Sequence, residues 1–161
     1  MPAYTKTAQR QVLATIAPVT GSTSPKWTGY YFPQVSGGEI TASVEKIYEG
    51  RSLRPTVLCA PAEIGDITVT GHYDNDDRQS DLNTGIMEKI AKLRPLVGRA
   101  TYDITVAIYD CDLKEPGTDR VYYGALLVGI TEPDGDSSSG APATFSLTFA
   151  IGDVQSGATT T

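Results

Sequence analysis

Four stretches of this chain alternate between apolar and polar residues with a period of two, which confines each to a strand buried on one face. In residues 101–112, Tyr102, Ile104, Val106 and Ile108 fall on one side, and Thr101, Asp103, Thr105 and Ala107 on the other. Residues 143–151 repeat the pattern, with Phe145, Leu147, Phe149 and Ile151 opposite Thr144, Ser146 and Thr148. Residues 66–73 alternate through Ile67, Val69 and Tyr73, and residues 39–48 through Ile40, Ala42 and Val44. A fifth stretch, RVYYGALLVGIT at 120–131, is apolar at both parities. A strand of that kind needs cover on both faces, from a second sheet, a helix or a neighbouring subunit.

One segment changes period. In SDLNTGIMEKIAKLRPLVG, Leu82, Ile86, Ile90 and Leu93 recur at helical spacing, which predicts an α-helix over residues 81–94. Ser80 or Asp81 serves as N-cap and Pro95 ends the run. Gly85 costs about 1 kcal/mol against Ala and points to a late start. Residues 18–38 read as a long loop, rich in Gly, Ser and Pro yet carrying Trp27, Tyr30, Tyr31 and Phe32. Residues 131–142 read as a polar loop, 1–10 as an N-terminal arm and 152–161 as a C-terminal arm. The length of 161 residues suits a single domain spanning 1–161, with no internal repeat. The expected fold is mainly β: an antiparallel β-sandwich, barrel-like, with one flanking helix, extended arms and a long loop.

The net charge of −6 argues against a nucleic-acid grip, which needs Lys and Arg set against phosphate. The charge is also uneven. Residues 1–60 hold six Lys/Arg and three Asp/Glu, a balance of +3, and residues 61–161 hold seven and sixteen, a balance of −9. Scatter among surface loops explains this as well as two poles that attract head to tail. Cys59 and Cys111 lie far apart and fit no zinc or redox spacing, so reduced cytosolic thiols are expected. The first residues lack the apolar core of a signal peptide, and no apolar run is long enough to span a membrane.

Catalytic and metal patterns are weak. The acidic run from Asp74 to Asp81 departs from a calcium loop, with Gln79 where the turn needs Gly and Gly85 where the bidentate Glu belongs. Acids ahead of a helix are better explained by its dipole. Asp110, Asp112, Glu115 and Asp119 flank a turn, KEPG, where polar residues are expected in any case. The single histidine, His72, lies inside a strand and reads as a sheet-surface residue, so no nucleophile–base pair forms around it. No Gly-rich loop opens a helix to cradle phosphate, and Gly37–Gly38 reads as a turn. The polar parities are more informative. Asp66, Thr68, Thr70, His72; Thr41, Ser43, Glu45; Thr101, Asp103, Thr105; and Thr144, Ser146, Thr148 include no Lys or Arg. An ordinary solvated sheet explains this through the β propensity of Thr. A surface that must not hold polyanions explains it too.

Residues 121–149, VYYGALLVGITEPDGDSSSGAPATFSLTF, resemble the closing strands of siphophage tail tube (major tail) proteins, from long-tailed, non-contractile bacteriophages. In both, a strand ending near Gly-Ile-Thr leads through a Pro/Asp/Ser loop into an alternating Leu-Thr-Phe strand. DITVTGHYD, its acidic loop and a helix ending LRPLVGR are similar to the family's middle section. The resemblance spans residues 64–151, and residues 1–60 match only through a long loop and arms. It implies a structural virion protein with no catalytic residue, cofactor or metal. Six subunits would join their sheets into an inner barrel, and rings would stack into a tube around a tape measure protein. That tube would meet tail terminator and baseplate or distal tail proteins and later conduct DNA without binding it. Synthesis would be in the host bacterial cytoplasm. On this reading Trp27, Tyr30, Tyr31 and Phe32 are candidate assembly contacts, because aromatics are costly to expose in a loop. Thr41, Ser43, Glu45, Thr68 and Thr70 are candidate lumen-facing residues. Two alternatives stand beside it. One is the tube of a contractile tail or secretion-type injection machine. The other is a monomeric ligand-binding β-sandwich, with Trp27, Tyr30 and Tyr31 as a stacking platform.

Overall fold

Each alternating run in the C-terminal half becomes a strand that buries its apolar parity, except that a register shift after Val106 in the first run buries Ala107 in place of Ile108. The computed structural model describes residues 11–21, 23–27, 30–73, 86–109 and 116–156. Its elements are β1 (Val12–Pro18), β2 (Gln34–Gly37), β3 (Ile40–Ala42), β4 (Lys46–Ile47), β5 (Thr56–Val57), β6 (Ala62–Ile64), β7 (Ile67–His72), α1 (Ile86–Leu93), β8 (Thr101–Tyr109), β9 (Pro116–Thr131), β10 (Thr144–Ala150) and β11 (Asp153–Ser156). Seven strands form one antiparallel sheet in the order β1-β8-β9-β10-β7-β2, with β11 pairing β9 beyond β10. The sheet curls into a half-barrel until its two edges touch. Ala14 and Phe32 form an isolated antiparallel bridge, Phe32 N–H donating to the Ala14 carbonyl at 2.8 Å and Ala14 N–H to the Phe32 carbonyl at 3.3 Å. This bridge pins the two edges together at one point and leaves the rest of β1 and β2 with a strand partner on one side only.

The core fills the concave side. Ile67 and Val69 from β7, Tyr102, Ile104 and Val106 from β8, Phe145, Leu147 and Phe149 from β10, and Ala14 and Ile16 from β1 are all buried. Helix α1 lays Ile86, Ile90 and Leu93 against them. It stops at Leu93, and Pro95 sits in the 3-10 turn that follows (Arg94–Leu96). Leu82, Gly85 and the proposed caps Ser80 and Asp81 lie outside the described residues.

Strand β9 is apolar at both parities because its phase changes, not because both faces are covered. Tyr102 pairs Ala125 but Ile104 pairs Tyr122, so one residue of β8 faces two of β9. This is a β-bulge. Gly124 sits there at φ 62°, and its N–H donates to Asp103 Oδ1 at 2.9 Å. The bulge carries the inward parity from Tyr122 to Ala125 and Leu127. A second shift against β10, where Thr148 pairs Gly129 and Phe149 pairs Leu127, turns Ile130 back toward the core. Tyr123 and Val128 remain exposed outside.

Other differences fall in the first 50 residues and at the C-terminal end. The segment read as a loop at 18–38 contains β2, which hydrogen-bonds along β7. The segment read as an arm at 152–161 begins with β11. The single strand expected over 39–48 is broken into β3 and β4, which pair with β6 and β5 as two short ribbons of one hairpin. Residues 1–10 and 157–161 lie outside the described residues.

Candidate assembly surfaces

Four aromatics gather where β1, β2 and the open end of the curl meet. Trp27 stacks on Phe145, with centroids 5.8 Å apart, and touches Phe32 at 5.5 Å and Tyr30 at 5.6 Å. Trp27 and Phe32 are wholly buried. Gly71 leaves room for the Tyr30 hydroxyl, which a Cβ there would strike, and that hydroxyl donates to the His72 carbonyl at 3.4 Å. Lys89 of α1, also buried, holds its ammonium 5.1 Å over the Trp27 ring, a cation–π contact, and burial lowers its pKa. The Tyr102 hydroxyl donates to the Pro25 carbonyl at 2.8 Å. Burial pushes its pKa up to about 12, and the nearby Trp27 and Ser24 pull back against that rise. Trp27 Nε1 lies beside this oxygen without completing a well-formed hydrogen bond.

The expectation that these aromatics form an exposed contact is therefore corrected for Trp27 and Phe32, which plug their own subunit. The same burial removes the stacking platform that a ligand-binding monomer would need. Tyr31 alone stays half-exposed, edge-on to Tyr109 at 6.0 Å. The sequence signal was sound in showing costly aromatics. It did not show that β2 returns along β7 and places them inside.

The convex face between β2 and β9 carries two cross-strand rows. Gln34, Thr70, Ser146 and Thr131 stand in register, as do Ser36, Thr68, Thr148 and Gly129. The Thr68 and Thr148 hydroxyls lie 3.3 Å apart, and those of Thr70 and Ser146 3.2 Å apart. Neither row contains a charged residue. Thr68 and Thr70 thus share one hydroxyl-lined face with residues from three other strands. Thr41, Ser43 and Glu45 do not join it. They lie on the hairpin, all exposed, because the chain leaves the sheet at Gly37–Gly38 before reaching them. Both glycines have positive φ, and a Cβ on Gly37 would collide with the Asp66 carbonyl oxygen.

The hairpin itself is an unpartnered surface. From Glu39 to Glu63 no residue is buried. Ile40, Val44, Ile47, Tyr48, Val57 and Leu58 are exposed, and Leu53 at the tip is 95% exposed between Arg51 and Arg54. At the far end of the sheet, Glu132, Asp134, Asp136 and Ser139 line an open cleft of about 400 Å³ with Thr131, Thr144 and Ser146. Asp136 accepts from the Ser138 N–H at 3.0 Å and from its hydroxyl at 2.6 Å, which lowers its pKa and fixes the loop. Arg94, just beyond α1, pairs with Glu132.

The residues weighed for chemistry give no catalytic arrangement among those described. His72 is exposed at the end of β7, opposite Thr144. Cys59 is an exposed free thiol on the hairpin. Asp74–Asp81, Asp110, Cys111, Asp112 and Glu115 lie outside the described residues, as does the side chain of Asp119.

No protein-family model matches the chain, and no curated protein sequence does. Solved structures do. A chain of the sheath–tube complex of an extracellular contractile injection system (PVC, extended state) superposes with a TM-score of 0.65 at 15% identity, covering 95% of this chain and 93% of that one. A chain of the anti-feeding prophage (AFP) baseplate, solved with six-fold symmetry, gives 0.69 at 18% identity, covering 95% and 96%. A chain of the anti-feeding prophage tube-terminating cap gives 0.66 at 14% identity, covering 97% and 95%. At these identities the likeness establishes a shared fold along nearly the whole chain.

Proposed function

We propose that this chain is the structural subunit of a phage-type tail tube, assembling into stacked rings around a central channel. One observation carries the reading. A fold shared end to end with chains of tube-bearing injection assemblies comes with a hairpin that is exposed along its whole length. A lone soluble domain has no use for such a strip, whereas an assembling subunit covers it. Those fold neighbours come from contractile systems, which favours a contractile-type tube over the non-contractile tail suggested by residues 121–149. The ring number is taken as six, as in the symmetry of the baseplate assembly. Terminator, baseplate and tape measure proteins are the partners of this reading, which assigns no catalysis to the chain.

In this tube the two hydroxyl rows face the channel. Gln34, Ser36, Thr68, Thr70, Thr131, Ser146 and Thr148 present neutral hydrogen-bonding groups to whatever passes. Such a wall gives a polyanion no counterion-releasing partner, so DNA slides rather than sticks. Electron microscopy of the concentrated protein is the primary test. Tubes of uniform diameter are expected, and protein that stays monomeric at high concentration counts against the reading. Thr68→Lys with Thr70→Lys then examines the wall. Tubes should form, but transfer of DNA or another polyanionic cargo should slow, while Met87→Lys at an exposed position of α1 changes nothing. Unaltered transfer through Lys-bearing tubes would remove these rows from the channel.

A further inference from the structure

The hairpin tip and the acidic cleft lie at opposite ends of the same strands. The hairpin leaves the sheet where Gly37 pairs Ile67, at the start of β7. The cleft lies where His72 pairs Thr144 and Ser146 pairs Thr131, at the other end of β7 and β10. The tip offers Leu53 between two arginines, Arg51 and Arg54. The cleft offers the carboxylates of Glu132, Asp134 and Asp136 around a concave space. Leu53 is almost wholly exposed, so within one subunit the tip touches nothing that covers it.

We propose that the tip of one copy seats in the cleft of a second copy, with Leu53 entering it and Arg51 and Arg54 meeting the Asp134 and Asp136 carboxylates. This inference rests on the tube reading and names the contact that joins one ring to the next. Opposite charges at opposite ends make the contact heterologous, so it repeats along the strand direction and builds an open stack rather than a closed pair. Arg51 and Arg54 are two of the six cations among the first 60 residues, which carry +3, and the three cleft acids belong to the remainder, which carries −9. Asp134 and Asp136 are both exposed and so available to the incoming arginines. Glu132 is already held by Arg94, and Ser138 engages only Oδ1 of Asp136, which leaves Asp134 and the Asp136 Oδ2 to meet the arginines.

Charge reversal tests the contact on the whole chain. Arg51→Glu with Arg54→Glu, or Asp134→Lys with Asp136→Lys, is expected to raise the concentration needed for tube growth by about tenfold or more. Combining all four changes in one chain restores the pairing with its sign inverted, and tubes should return. Leu53→Ser, which leaves the charges in place, should shorten tubes as well. Thermal melting of every variant should match the parent, since all five side chains are exposed. Tubes should also weaken as the screening length falls from about 10 Å at 0.1 M salt to about 3 Å at 1 M. Failure of the fourfold variant to regain tubes overturns the contact, and so does normal tube growth by either reversed pair. A parent protein that forms neither rings nor tubes sinks the tube reading and this contact with it. Parent tubes alongside unaffected variants sink the contact alone.

Discussion

Residues 23–37 and residues 39–65 adjoin in the chain, and both carry large apolar side chains, yet one is buried and the other bare. In the first, Trp27 and Phe32 pack on Phe145 inside the curl, fastened by the Ala14–Phe32 bridge. In the second, Ile40, Tyr48 and Leu53 are 62%, 64% and 95% exposed. Hydrophobicity does not separate the two. What separates them is whether the backbone finds a third strand. β2 returns to β7 and lays its neighbours over the core, whereas β3–β6 and β4–β5 pair only with each other. A two-stranded ribbon has no layer to bury a face against and is marginal alone. The apolar residues of the first segment hold the subunit together, and those of the second stay bare on its surface.

Substitutions break or sharpen that division. The largest effect belongs to Trp27→Ala, which empties the aromatic plug and should cost about 3–5 kcal/mol of unfolding free energy by denaturant titration. A stability near that of the parent would mean the plug is not the subunit's own core. Gly37→Ala strikes the junction between the two regions, adding a Cβ at positive φ against the Asp66 carbonyl. A loss of about 1–3 kcal/mol is expected, with faster proteolysis of the hairpin before global unfolding. The Tyr102 hydroxyl, raised to about 12 by burial, couples the plug to pH. The folded chain keeps this proton more tightly than the unfolded one. Its contribution is therefore whole below about pH 10 and is lost as pH rises toward 12, so denaturation midpoints should fall across that window. Tyr102→Phe should flatten the fall. The smallest effect is Leu53→Ser, expected to change stability by less than about 0.5 kcal/mol while impairing tubes. A large loss of stability there would place the tip inside the fold and erase the contrast.

Legibility in the sequence follows the same line. Strands β7, β8 and β10 and helix α1 were readable because each buries one face in its own subunit, and such burial imprints a period on the residues. β9 is legible as a strand, but its two apolar parities read as cover on both faces, because a period cannot show where Gly124 or the shift at Leu127–Gly129 resets the phase. β2 and β11 escaped notice because they are short and hold Gly, Ser or Gln where apolar residues would signal a strand. Thr68 and Thr70 were picked out by their parity. Thr41, Ser43 and Glu45 look alike in sequence because ITASV alternates as cleanly as ITVTG, although Gly37–Gly38 turns that run away from the sheet.

The phase change at Gly124 also has a hereditary consequence. Upstream of it β9 pairs β11, downstream it pairs β10, and Asp103 ties the offset in place. Adding or deleting one residue in β9 would therefore turn every later side chain of that strand over, sending Leu127 outward and Val128 in. The 132–143 connection carries no such count and can lengthen or shorten without moving either strand. Among descendants of this chain, length variation in that connection should spare the fold and be limited only by the contact proposed for Asp134 and Asp136, whereas it should be purged from the sixteen residues before it, much as a frameshift is tolerated between genes but not within one.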